Sequence, residues 1–220
     1  MVHLLTIQPH CATELLAVGK PFRCDARLSA KDGYADIFIE QYDWLAGEMV
    51  RNGIQRPAGW NGRWPVWAWV KHSPLTLRDT RIREVRRTAS GREYTTYPLD
   101  DVLALDVPEE RLFMTDFNRW SYIIIHAQGN LMPTVEDWNT KQDDPSTIDE
   151  WIRRSEEATI EEKRASWHNV CTTSEEWEYA QTHQNLSVWI QATLWEIRPE
   201  DVCMTLSGNH SLKAVRTWLN

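Results

Sequence analysis

The sequence predicts an α+β protein: one domain with a mixed, mostly antiparallel sheet, flanking helices and a helical insertion. Three observations lead there. Short segments rich in β-branched and aromatic residues recur toward both ends of the chain. Residues 35–50 carry apolar side chains at helical spacing. Residues 147–168 are highly charged, with the Glu-to-Lys/Arg spacings of an exposed helix, and they interrupt the strand-like segments. Residues 1–220 read as a single domain, and 128–184 as a helical excursion within it.

Taken in order, residues 4–8 (LLTIQ) predict a short strand ended by Pro9. Thr13 is the expected N-cap of a helix over 14–18, stopped by Gly19. Residues 22–25 are expected to be extended. Ile37, Phe38, Tyr42, Leu45 and Met49 mark a helix over 35–50, closed by Gly53. Pro57, Gly59 and Gly62 make the next stretch a loop. WPVWAWV, residues 64–70, predicts a strand with Pro65 near its start. Trp67 and Trp69 are two apart and so share a face. Ser90-Gly91 predicts a turn between two extended arms.

Residues 99–107 and 111–116 predict strands joined by Pro108, Glu109 and Glu110. Asp116 or Asn118 is expected to cap a helix with Trp120, Tyr122 and Ile125. Residues 128–147 read as irregular. Thr147 and Glu150 fit a capping box that opens a helix reaching His168. Ser174 and Trp177 open another short helix. Residues 186–197, LSVWIQATLWEI, alternate best of all and predict a strand; the tail after Gly208 reads as a helix or arm.

Composition narrows the function classes. The chain carries 13 Trp against 4 Phe, so stacking sites are as available to it as an aromatic core. A net charge of -8 makes it a poor general binder of polyanions. Nucleic acid is expected only through residues 78–87, which hold Arg78, Arg81, Arg83, Arg86 and Arg87; a solvated hairpin face paired with Asp79, Glu84 and Glu93 explains the same run. Cys11, Cys24, Cys171 and Cys203 form no C-x-x-C pair and read as thiols in a reducing, cytoplasmic setting. MVHLLTIQPH lacks the pattern of a signal peptide, and the apolar run at 122–125 is too short to span a membrane.

The common phosphate-cradling fingerprints and H-E-x-x-H do not occur. His168 with Cys171, and His10 with Cys11, are the pairs nearest to a metal-ligand spacing, but no spacing demands a metal and none is expected. No G-x-S-x-G elbow supports a serine nucleophile.

The pieces LLTIQ, YDWL, WPVWAWV, LTLRD, LALDVPEERLFMTDFNRWSYI and IQATLWEIRPEDV occur in this order over nearly the whole chain. Together they resemble a bacterial family catalogued as domain of unknown function 3841, which implies no activity. The order of features is also similar to small ADP-ribosyltransferase-like domains. The first strand LLTIQ, the helix after Thr13, Gly19, the helix over 35–46, TDFNRWSYI and the closing strand IQATLWEI carry that likeness. Thr6 and Gln8 stand where those domains carry His or Arg, and the serine-threonine-serine second motif has no clear counterpart.

The likeness implies NAD as a substrate and a macromolecule as the target, as in a toxin or defence factor. In that reading Thr6 or Gln8 meets the nicotinamide amide, and Trp67, Trp69 and Trp120 offer an aromatic wall. Arg23 or Arg78 holds the diphosphate. Asp116 joins these cofactor contacts, though a helix cap is the stronger explanation for it. Gln191 or Glu196 stabilises the positive charge that grows on the ribose. Gln191 and Glu196 are five apart and so face opposite ways, and Gln191 is preferred because Trp189, Thr193 and Trp195 share its face. Pairing of Glu196 with Arg198 is its bland alternative. A second reading stays open: a non-catalytic module that holds a nucleotide, sugar or peptide in a Trp-lined cleft. So does a third, an enzyme with an unrelated mechanism.

Overall fold

Strand β1 (Val2–Pro9) is the element on which the sheet is assembled. Leu4 and Leu5 point to opposite faces, yet both are fully buried, as a central strand requires. The computed structural model describes residues 1–24, 35–70, 84–87, 93–96, 100–125, 129–141, 144–171 and 190–206. These form two compact units, each assembled from segments far apart in sequence: Met1–Arg23, Pro65–Leu112 and Gln191–Asn220, then Cys24–Trp64 and Phe113–Ile190. The fold is α+β.

In the first unit the strands run in the order β7-β2-β1-β5-β8. These are β2 (Val66–Val70), β5 (Asp100–Val107), β7 (Ile190–Leu194) and β8 (Val202–Leu206) beside β1. β1 and β5 pair along their full length, from Val2 opposite Val107 to Pro9 opposite Asp100. β3 (Glu84–Arg87) and β4 (Glu93–Thr96) form a separate hairpin, as the Ser90-Gly91 turn signal predicts for its arms. Each of these pairings is antiparallel, which corrects the mixed sheet expected from sequence. Pairing direction is decided by strands distant in the chain, and periodicity within one strand does not contain it.

Helix α1 (His10–Ala17) lies against β1 and β5 and buries Ala12 and Leu16. It starts four residues earlier than the Thr13 cap predicts. Pro9 holds the extended N-cap conformation without a side-chain cap, and the Thr13 hydroxyl donates to Asp101 instead. Gly19 ends the helix as expected. At φ +77° it lets its own N–H reach Leu16 O and the Lys20 N–H reach Leu15 O. A 3-10 turn (Glu109–Arg111) shortens the strand expected over 111–116. β8 was not expected: its five residues follow Pro199 and, among the described strands, pair with the remote β5.

The second unit carries helix α2 (Ala35–Arg51), as predicted to within a residue, and strand β6 (Phe113–Asp116), which bridges to Cys171 through Thr115. Helices α3 (Phe117–Ile124), α4 (Val135–Lys141), α5 (Pro145–Glu157) and α6 (Ile160–Ser166) follow. α4 falls where an irregular stretch is expected. It is seven residues long with a single apolar anchor, Trp138, too short to display a helical period. Thr134 supports its start by accepting from the Asp137 N–H.

The predicted Thr147–Glu150 box is not the start of α5. Asp144 caps it, accepting from the Ser146 N–H, and Pro145 occupies the first turn, where its missing donor costs nothing. The expected unbroken helix to His168 divides at Ala158 and Thr159. The capping box is there: Thr159 accepts from the Glu162 N–H, and the Glu162 carboxylate accepts from the Thr159 N–H. The helix expected at Ser174 and Trp177, Trp189 and the rest of 186–189, the turn at Ser90-Gly91 and the tail after Gly208 lie outside the described residues.

Trp138, Trp151 and Trp167 are buried and anchor the helices around them, while Trp177 lies outside the described residues. Trp138 stacks on Trp151 with ring centroids 5.4 Å apart, and Tyr122 meets both rings. Trp167 is 1% exposed and donates its indole N–H to Asn130 O at 2.7 Å. Gly129, at φ +70°, lies so close that an added Cβ would stand 2.4 Å from the Trp167 ring. Gly129→Ala therefore strains the backbone and displaces a buried indole. It should lower stability by more than about 1 kcal/mol, read as a reduced urea midpoint.

Candidate functional site

β2 separates its side chains cleanly. Val66, Ala68 and Val70 are buried on one face, and Trp67 and Trp69 are half-buried on the other. β7 is buried throughout. Its register places Gln191 opposite Trp69 and Thr193 opposite Trp67. Directly opposed residues point the same way, so Gln191 and Thr193 share the tryptophan face. Ile190, Ala192 and Leu194 form the apolar face, as the alternation predicts. Trp195 lies just past the strand end and is buried. The Gln191 Oε1 atom is buried and has no hydrogen-bond partner among the described residues. Such an atom is unusual, because buried polar groups are ordinarily paired.

The pleat sends Thr6 and Gln8 the other way. Leu5 opposes Trp69 and belongs to its face, so the even-numbered residues of β1 point opposite. Thr6 is 2% exposed; its hydroxyl donates to Trp67 O at 2.6 Å and accepts from Gln8 Nε2 at 2.7 Å. Thr6 and Gln8 are therefore neighbours of each other, on the sheet face away from Gln191, Trp67 and Trp69.

Glu196 sits just beyond β7 in a knot of charges. Its Oε2 accepts from Arg23 Nε at 2.8 Å and pairs with Arg23 Nη2 at 2.7 Å, while Oε1 accepts from Arg198 Nε at 2.8 Å. Arg111 grips Asp201 with both terminal nitrogens, at 2.5 and 3.0 Å, and also donates to Glu196 O. The Arg198 backbone N–H donates to Asp201 Oδ2. Phe22 and Ile197 add a backbone bridge in each direction beside it. Burial alone would push the Glu196 carboxyl up, but the bonds from Arg198 and Arg23 and their charges outweigh it. The carboxyl titrates below its ordinary range. Spacing anticipates the Arg198 contact only; Arg23, Arg111 and Asp201 carry no sequence signal linking them to Glu196.

The other expected contacts lie elsewhere. Asp116, 4% exposed, caps α3 by accepting from the Arg119 N–H at 3.0 Å. Trp120, 2% exposed, meets Tyr42 edge-on at 5.8 Å. Both belong to the second unit, whereas Thr6, Gln8, Arg23, Trp67, Trp69, Gln191 and Glu196 belong to the first. Arg78 lies outside the described residues. None of the four cysteines is disulfide-bonded. Among the described residues no three His, Cys, Asp or Glu side chains converge as a metal site, and no helix is long and apolar enough to cross a membrane. Sequence reasoning passed over one further cluster, in which His10 and Thr13 converge on the buried Asp101.

A model of the family described as Domain of unknown function (DUF3841) matches residues 3–203. No curated protein and no solved structure gives a significant match.

The Glu196 knot makes a stability prediction. Glu196→Gln leaves guanidinium groups without their anion and should cost about 3 kcal/mol in chemical denaturation. The folded carboxyl titrates lower than the unfolded one, so its contribution is present above the ordinary carboxylate range. It is lost as pH falls through the lower folded value. The variant should therefore show a flatter acid limb in its stability–pH curve than the parent.

Proposed function

We propose that this chain, which belongs to the family described as Domain of unknown function (DUF3841), binds a planar, nucleotide-like small molecule on the tryptophan face of β2 and β7. The observation that carries the reading is the buried Gln191 Oε1, which lacks a partner among the described residues and stands across from the half-buried Trp69. An unsatisfied buried acceptor costs about 1–3 kcal/mol, which a ligand N–H would offset. Trp67 and Trp69 supply flat stacking area on the same face. Nucleobases and the nicotinamide carboxamide both combine a planar ring with an N–H donor, so they match both features.

Turnover of NAD, with transfer of ADP-ribose to a macromolecular target, is the second reading. Glu196 favours it, as a buried carboxylate held in its ionised form. Such a group could stabilise the cationic ribose that forms as nicotinamide leaves. Its two oxygens already accept from Arg23 and Arg198, so its charge is matched within the protein. That pairing weighs toward binding without turnover. It also engages Arg23, the cation assigned to the diphosphate.

Calorimetric titration with NAD, adenosine and nicotinamide, alongside tryptophan emission, tests the binding reading. Trp67→Ala, Trp69→Ala and Gln191→Leu should each weaken the bound ligand at least about tenfold, roughly 1.4 kcal/mol. No heat and no change of emission with any of the three at millimolar concentration would sink it. Release of nicotinamide from NAD by the parent, abolished in a folded Glu196→Gln variant, would establish the transferase reading instead.

A further inference from the structure

His10 opens α1, and its ring stands at the junction of β1 and α1. Nδ1 lies 2.8 Å from Asp101 Oδ2, and the Thr13 hydroxyl donates to the same oxygen at 2.6 Å. The two partners differ sharply in exposure: the His10 side chain is 58% exposed, the Asp101 side chain 3%. Asp101 is held on β5 directly across from Gln8. His10, Thr13 and Glu14 follow one another at i, i+3 and i+4, so the helix presents all three on one face. An ionised carboxylate only accepts, so the nitrogen facing Asp101 carries the ring proton. In the neutral ring the lone pair then sits on the other nitrogen, Nε2.

A buried carboxylate, fixed by a second donor and steering a solvent-facing imidazole, is the arrangement by which a histidine is held ready for proton transfer. We propose that His10 is the general base of a second site in this protein, with Asp101 as its positioning residue, and that it activates water against an uncharged carboxylic ester. The flanking charges decide the substrate class. Asp101 faces the ring from β5, and Glu14 Oε1 lies 3.9 Å from Nε2 on α1. Two carboxylates repel a phosphate ester and tolerate a neutral one. The Thr13 hydroxyl proton is committed to Asp101, which leaves water as the attacking group.

In the reaction, Nε2 takes a proton from water as the water oxygen bonds to the acyl carbon, and the carbonyl pair moves onto its oxygen. Collapse of the adduct re-forms the carbonyl and breaks the bond to the alcohol oxygen. That oxygen takes the proton from Nε2. The products are a carboxylic acid and an alcohol, and the ring returns to its neutral state. The hydrogen bond that the ring donates to Asp101, and then the charge of that carboxylate, raise the imidazole titration above its ordinary value, so the base form grows in at higher pH than for an isolated histidine. Gln8 and Asp101 lie on the sheet face opposite Trp67 and Trp69, so this site is independent of the ligand face.

The test is hydrolysis of p-nitrophenyl acetate by the full chain across a pH series. His10→Gln should lower the rate by roughly 10²-fold while leaving circular dichroism unchanged. His3→Gln and His168→Gln should keep the parental rate. Asp101→Asn should lower the rate and move the midpoint of the pH profile downward, a change that mere loss of a structural contact would not produce. Should Asp101→Asn not fold, Glu14→Gln serves: removing that nearby charge should move the midpoint downward too. A parental rate equal to that of His10→Gln, or a midpoint unmoved in the folded charge variant, overturns the proposal. Neither result depends on whether the tryptophan face binds a nucleotide.

Discussion

A buried carboxylate just past the end of β7 constrains much of the first unit. Glu196 is 6% exposed and ionised, and such a group is tolerated only with full pairing. Meeting that demand draws in Arg23, from the segment after α1, and Arg198, from the approach to β8. Arg111, from the turn after β5, is drawn in through Asp201 and the Glu196 carbonyl. Two segments remote in sequence, at Arg23 and Arg111, are thereby tied to the short stretch 196–201. The Phe22–Ile197 bridge and the turn leading into β8 lie within the same knot. The knot also explains why charge and stacking are separate resources here. The arginines beside Glu196 are paired with carboxylates, and the β7 side chains opposite Trp69 and Trp67 are the amide of Gln191 and the hydroxyl of Thr193.

The described tryptophans occupy two kinds of place in this chain. In the second unit Trp138, Trp151 and Trp167 are core residues that hold short, charged helices together. α5 and α6 are largely polar, so their stability depends on these few large rings and on caps such as Asp144 and Thr159. In the first unit Trp67 and Trp69 stay half-buried on a strand whose other face is small and apolar. Trp69 stands across from Gln191, whose buried Oε1 lacks a hydrogen-bond partner among the described residues. Trp120 resembles the first group: it is enclosed against Tyr42, and the neighbouring Asp116 is occupied as a cap.

The pleat of β1 divides the polar side chains into two sets. Leu5 belongs to the face that carries Trp69 and Gln191, while Thr6 and Gln8 belong to the face that carries Asp101. Residues that look like partners along a one-dimensional sequence are thereby separated by the thickness of a sheet. The same division produces the His10, Thr13 and Asp101 cluster, in which a helix turn meets a strand 88 residues away. Two chemically distinct places arise on opposite faces, one aromatic and amide-bearing, the other built around an oriented imidazole.

Local chemistry, legible in the sequence, determined which segments form elements and where several of them stop. The alternation of WPVWAWV assigned both faces of β2, and Gly19 and Gly53 marked the ends of α1 and α2, because these features act over a few residues. The face of Gln191 was likewise contained in the period of its strand. Where elements were short or caps competed, sequence reading failed. α4 has one apolar anchor, and Asp144 with Pro145 prevailed over Thr147 as the start of α5. Tertiary structure alone decided the antiparallel order, the existence of β8, the pairing of Glu196 with Arg23 and the meeting of His10 with Asp101. Each of these joins residues whose separation in the chain is large, and the favourable free energy of such a contact exists only once the intervening chain has folded to close it.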